Sequence, residues 1–257
     1  MKIQQVAVQL YTLRDFTRTP ADIAVTLKKV RKLGYLAVQA SAIGPIEESE
    51  LVKMLEGEGL ALCATHEDSN MILENPAAVS EKLAKLNCKH TAYPFPRDID
   101  FGDEAQIHAL AKKLDAAGAV LRNAGQVLSY HNHAIEFVRF GDKLALEIIY
   151  GETDPQNLQA EIDTYWVQYG GGSPEEWCRR MTGRLPLLHM KDYKFTKENK
   201  HDMAEIGVGN FDWKTIIAAA EKSGCEWFIV EQDTCPGDPF ESLKASFDYI
   251  SANLVES

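Results

Sequence analysis

Short apolar runs alternate along the chain with longer stretches in which apolar positions recur every three or four residues. The first pattern predicts buried strands and the second amphipathic helices, and their alternation predicts βα units around a parallel sheet. Strands are expected at residues 6–10, 36–40, 61–65, 91–94, 126–130, 158–162, 185–189 and 228–230. Helical periodicity covers 21–33, 48–58, 76–86, 104–123, 174–182 and 213–222. Gly34, Gly59, Asn87, Gly125, Gly183 and Gly224 each fall shortly before a strand, where a residue tolerant of left-handed backbone ends the preceding helix. About eight strands suit closure into a single (β/α)8 TIM barrel. A doubly wound open sheet shares the alternation, but no GxGxxG follows the first strand.

Two connections exceed what a barrel needs. Residues 134–157 are expected to hold a β-hairpin (136–140, a turn at Gly141-Asp142, then 144–149), and residues 191–210 form a second long excursion. The length of 257 residues matches the roughly 250 of this fold, so one domain over 1–257 is expected.

Composition narrows the partners. A formal charge of -11 opposes binding to a phosphate backbone, which argues against nucleic acid. Five cysteines without CxxC spacing suggest reduced thiols, neither a disulfide framework nor a structural zinc site. The N-terminal MKIQQVAVQLYTLRDF alternates apolar and polar residues, and no apolar run approaches 18, so neither a signal peptide nor a membrane span is expected and the cytoplasm is the default location.

In a barrel of this kind the chemistry sits at the C-terminal ends of the strands. Those ends carry Tyr11, Arg14, Gln39, His66, Glu67, Tyr93, His131, Asn132, His133, Asp163, His189, Lys191, Asp192, Glu231, Gln232 and Asp233. Asp163, His189 and Glu231 close the sixth, seventh and eighth strands and converge on one quadrant of the mouth. One imidazole and two carboxylates suit a divalent cation that keeps open positions, and His131 supplies a fourth donor from the fifth strand. One such residue alone is as readily a helix cap; four on consecutive strands, without a partner, would cost stability. His133 either orients a ligand, faces the barrel wall or ligates directly. His66 is assigned to the substrate pocket, His201 to an exposed Lys-rich loop or the rim, and Trp166 to packing or to the C–H face of a sugar. Ser173 and Pro174 after the glycine run read as a helix start.

The segments VAVQLYTLR, LSYHNHAIEF, AEIDTYWV, LLHMKDYK, IGVGNFDW and FIVEQD, in this order, resemble the xylose isomerase-like TIM barrels, the sugar phosphate isomerase/epimerase superfamily. The resemblance implies one divalent metal, Mn2+ preferred and Zn2+, Mg2+ or Co2+ acceptable, held by four ligands of which it assigns three to Asp163, His189 and Glu231; strand position offers His131 as the fourth. Ketose epimerases of the superfamily place a glutamate at that fourth position, so the YHNH form is closer to inosose dehydratases and ketosugar lyases. The implied substrate is a small polyhydroxylated sugar or inosose, in carbohydrate metabolism, and a homo-oligomer is compatible. Glu231, Glu136 and Lys191 are the expected catalytic groups, with Tyr11, His66, His133 and Trp166 lining the substrate. The expected reaction is isomerisation or epimerisation by proton abstraction beside a carbonyl; the alternatives are dehydration through the same enediolate and a non-catalytic sugar-binding regulatory barrel. Endonuclease IV-type nucleases share the fold, but Tyr93 and Trp166 stand where two of their zinc-binding histidines would be expected.

Overall fold

The structure is a computed structural model that describes residues 1–256. Eight parallel strands close into a barrel. In chain order they are β1 (Val6–Gln9), β2 (Ala37–Ala40), β3 (Ala61–His66), β4 (His90–Tyr93), β5 (Val127–His131), β6 (Leu158–Asp163), β7 (Leu187–Met190) and β8 (Trp227–Val230). β1 pairs with both β2 and β8, so no edge is left unpaired. The helices are α1 (Pro20–Leu33), α2 (Glu48–Glu58), α3 (Ser69–Glu74), α4 (Pro76–Lys85), α5 (Glu104–Asn123), α6 (Ala145–Gly151), α7 (Thr164–Tyr169), α8 (Pro174–Arg180), α9 (Trp213–Lys222) and α10 (Pro239–Asn253).

Helix starts follow their capping chemistry. Thr19 and Asp22 form a reciprocal capping box ahead of Pro20, and Ser173 caps α8 in the same position before Pro174. Gly34 ends α1 at φ 113°, and a β-carbon there would stand 2.3 Å from the Phe247 ring, so both backbone and packing require glycine. Ile23, Leu27 and Val30 of α1 face the barrel at helical spacing and are fully buried.

The structure differs from the expected elements in the two long connections. The hairpin after β5 is limited to Arg139–Phe140 paired with Lys143–Leu144 around Gly141, and the segment expected as its second strand is helix α6. Leu146, Ile148 and Ile149 are buried there as a helical face, so tertiary burial decided a short apolar run whose period was ambiguous. After β7 the chain makes an antiparallel hairpin, Asp192–Phe195 with His201–Ala204, that sequence reading left as loop.

Candidate metal centre and active-site cleft

Strand alternation decides what reaches the barrel axis. On β6, Glu161 and Asp163 share one face; Glu161 is the register partner of Leu187, and Asp163 that of His189. His131 on β5 pairs in register with Glu161. Below the mouth, Gln9 donates to Gln39 Oε1 at 2.9 Å, and Gln39 donates to Glu161 Oε2 at 2.7 Å, so the upper barrel interior is polar and hydrogen-bonded.

Around this rim His131, Asp163, His189 and Glu231 bring one donor atom each within 4.8 Å of one another, all buried. His189 Nδ1 stands 2.9 Å from Glu231 Oε2 and 3.9 Å from Asp163 Oδ2, and His131 Nε2 lies 4.0 Å from that same Asp163 oxygen. Asp163 is also the N-cap of α7: Oδ1 accepts the Trp166 N–H at 2.9 Å, which turns Oδ2 toward the cluster, where the Lys191 ammonium stands 3.0 Å from it. Asn132 Oδ1 accepts the Asp163 N–H at 3.0 Å and fixes the strand end. Two imidazoles and two carboxylates whose donor atoms already lie within 4.8 Å of one another form a donor set that suits a divalent cation.

Electrostatics run the same way. Burial opposes charge on His189, but Glu161 and Glu231 hold its imidazolium up to about 10. Burial likewise opposes the Lys191 ammonium, which Asp163, Glu231 and Asp233 keep protonated well above its usual range, with Nζ 3.0 Å from Asp163 Oδ2, 2.9 Å from Glu231 Oε2 and 3.0 Å from Asp233 Oδ1. Burial and the neighbouring His189 hold His131 down to about 4, so its ring is neutral. The rim is thus a concentration of negative charge that the chain balances with one imidazolium and one ammonium.

Above the cluster opens a cleft of about 450 Å3 lined by Tyr11, Ser41, His66, Pro94, Phe95, Arg97, His131, His133, Trp166, Lys191, Glu231 and Asp233. Phe95 and Trp166 flank the His133 ring at centroid distances of 5.1 and 5.5 Å, an apolar wall beside the charged floor. Buried His133 Nδ1 and Trp166 Nε1 have no hydrogen-bond partner. The cleft therefore offers what a polyhydroxylated ring needs: aromatic faces, unsatisfied polar groups and a charged floor.

Tyr11, His66, His133, Trp166, Lys191 and Glu231 all reach this cleft, but Glu136 does not. Its carboxyl is fully buried behind β5, where Oε1 accepts the Tyr130 hydroxyl at 2.9 Å and Oε2 the His133 N–H at 2.8 Å. Burial raises it to about 7. The expected second acid/base is corrected accordingly: Glu136 braces the turn that presents His133. His201 sits on the rim, its Nδ1 2.9 Å from the Tyr165 hydroxyl.

Sequence reading passed over Glu161, although the AEID alternation places it on the same face as Asp163. It named Asp233 as a strand-end residue without a role. Asp233 lies in the cleft on Lys191, and burial, against the pull of Lys191, leaves its carboxyl up at about 6. Arg97 comes from the loop after β4, where no pattern marked it.

The fold is a (β/α)8 barrel with an imidazole–carboxylate cluster at its C-terminal mouth that could hold a metal ion. Residues 27–252 match the family model described as xylose isomerase-like TIM barrel, and the chain belongs to that family. It is 23% identical to an inosose dehydratase of Geobacillus kaustophilus (strain HTA426), over 87% of this chain and 85% of that protein. A solved sugar phosphate isomerase/epimerase from Parabacteroides distasonis ATCC 8503 superposes with a TM-score of 0.81 at 23% identity, covering 99% of this chain and 96% of the other. A xylose isomerase-like TIM barrel protein from Mycobacterium smegmatis, solved in complex with magnesium, superposes with a TM-score of 0.74 at 15% identity, over 96% and 95% of the two chains.

Proposed function

We propose that the chain is a divalent-metal-dependent enzyme that removes the proton next to the carbonyl of a cyclic polyhydroxylated ketone and expels a β-hydroxyl as water, a dehydratase-type lyase. The observation that carries the reading is the cleft's one-sided chemistry: Glu231, Lys191 and Asp233 meet on one wall, while Glu136 is turned away and sealed. A two-base epimerisation needs a second base across the substrate carbon, and Glu136 does not supply it. The similarity to inosose dehydratase points the same way.

His131, Asp163, His189 and Glu231 would hold the metal. Bound there, a divalent cation supplies Lewis-acid polarisation of the substrate carbonyl. Glu231, kept ionised by Lys191 and His189 despite its burial, accepts the α-proton. The electron pair left on carbon forms the C=C bond as the β-carbon–oxygen bond breaks, and the departing hydroxyl takes a proton from Asp233, leaving as water with no net oxidation. The Lys191 ammonium touches both carboxylates, so it keeps Glu231 ionised and compensates Asp233 when the proton leaves. His133 and Trp166 hold the ring, and Tyr11 lines the cleft from the 3-10 segment after β1.

The test is incubation of Mn2+-reconstituted protein with inososes and ketoses in deuterium oxide. Dehydration predicts a product lighter by one water, with solvent deuterium exchanged into substrate or product. Deuterium in a product of unchanged formula would assign isomerisation or epimerisation instead. Sugar binding without exchange or turnover would favour a regulatory barrel and contradict the proposal.

A further inference from the structure

Glu161 is buried completely and takes no part in the cleft wall, yet beneath it the carboxylate stands against His66, His131, His189 and Gln39. One of its oxygens, Oε1, stands 2.5 Å from His66 Nε2, 3.1 Å from His189 Nε2 and 3.3 Å from His131 Nδ1, a buried nitrogen that has no hydrogen-bond partner. The second oxygen is held by the Gln39 amide at 2.7 Å, and Gln39 Oε1 also meets His189 Nε2 at 2.7 Å. Each of two rim histidines therefore turns one ring nitrogen down to Glu161 and the other up, His131 Nε2 and His189 Nδ1 toward Asp163 and Glu231.

We infer that Glu161 is a positioning residue that dictates the tautomer of two metal-binding histidines, drawing the proton of His131 to Nδ1 and that of His189 to Nε2 so that the opposite nitrogens face the cation. This deepens the metal-site reading and rests on it. A ligating imidazole is neutral, so His189, an imidazolium in the metal-free site, would give up one proton on binding; the neutral ring carries a single N–H, and the nitrogen that does not hold it is the donor. A carboxylate below both rings selects which nitrogen that is, fixes the ring planes and makes the upper nitrogens more basic. His66 is tied to the same oxygen, which couples the cleft wall to the ligands.

Glu161 with His66, His131 and His189 is also a geometrically compatible ligand group in its own right. It shares both histidines with the upper group. Filling both would make each shared ring an imidazolate bridge between two cations, two such bridges side by side. A single ion in the upper group, with protons in the lower, satisfies every nitrogen without that charge accumulation.

Two measurements test the inference. In wild-type protein loaded with diamagnetic Zn2+, nitrogen NMR is expected to show His131 as the Nδ1–H tautomer and His189 as the Nε2–H tautomer. In Glu161→Gln, Mn2+ affinity is expected to fall about 10- to 100-fold with capacity still near one ion per chain. The opposite tautomers in wild type, or Mn2+ affinity in Glu161→Gln within twofold of wild type, would overturn the inference and leave the proposed function standing. Two ions per wild-type chain, with one lost in Glu161→Gln, would overturn it by making Glu161 a ligand. Wild type that binds no metal would overturn this inference and the function together.

Discussion

Two glutamates, both fully buried, separate the roles that burial can give a carboxyl group. Glu231 is surrounded by cations and stays ionised; Glu136 sees a phenol and a backbone amide and is pushed up to about 7. Removing a general base costs about 10²- to 10⁴-fold. Glu231→Gln should therefore lose at least a hundredfold in turnover, while Glu136→Gln should stay within about tenfold; a larger loss for Glu136→Gln in steady-state assays would return Glu136 to the mechanism. Its titration gives a second readout. A carboxyl whose folded value lies above its unfolded value binds more protons when folded, so its contribution to stability is present at low pH and is lost as pH rises from about 4.5 through about 7. Wild type should lose up to about 3 kcal/mol relative to Glu136→Gln across that window, read by urea denaturation at stepped pH. A constant difference would contradict the burial account.

At the scale of elements, the loop after the Asp192–Phe195 hairpin owes its form to one carboxylate. Asp192 is fully buried and accepts the backbone N–H of Tyr193 at 2.8 Å, of Gly207 at 2.8 Å and of Gly209 at 3.3 Å, and the Trp213 indole N–H at 2.8 Å. A β-carbon on Gly209 would stand 2.1 Å from that carboxylate, which explains the glycine in the IGVGNFDW segment. Asp192→Ala leaves those donors without an acceptor and should cost about 3 kcal/mol by denaturant titration; a cost below about 1 kcal/mol would show that the anchor does not hold the element. The same comparison shows what sequence could and could not reveal. Strand positions were legible to within a residue or two because most of the short apolar runs followed a glycine or asparagine helix end, and the rim cluster of His131, Asp163, His189 and Glu231 because polar residues ended those runs. Helix α6 was not, because a short apolar run has no distinguishing period, and Glu161 was not, because a charge inside a strand reads as part of an alternating surface until the barrel closes around it.

For the whole molecule, the barrel sets four donors at the ends of four neighbouring strands, β5 to β8, which meet only when the sheet has formed, so a cation held there would be linked to folding. A cation that binds the folded chain and not the unfolded one adds about 2.7 kcal/mol at a hundredfold excess over Kd. In a chain of this size that is about 5–10 °C in Tm, so chelation followed by Mn2+ should lower and then restore the melting transition, read by calorimetry. An unchanged transition would mean that the rim does not couple to a cation. Among the described residues no helix is long and apolar enough to cross a membrane.

The most direct test of the account is the metal content of purified protein by elemental analysis, after chelation and reloading with Mn2+, for wild type beside Asp163→Asn, His189→Ala and Glu231→Gln. The account predicts close to one ion per wild-type chain and a loss of retained metal in all three variants. Wild type that holds no ion at micromolar Mn2+, or variants that retain it as wild type does, would contradict it.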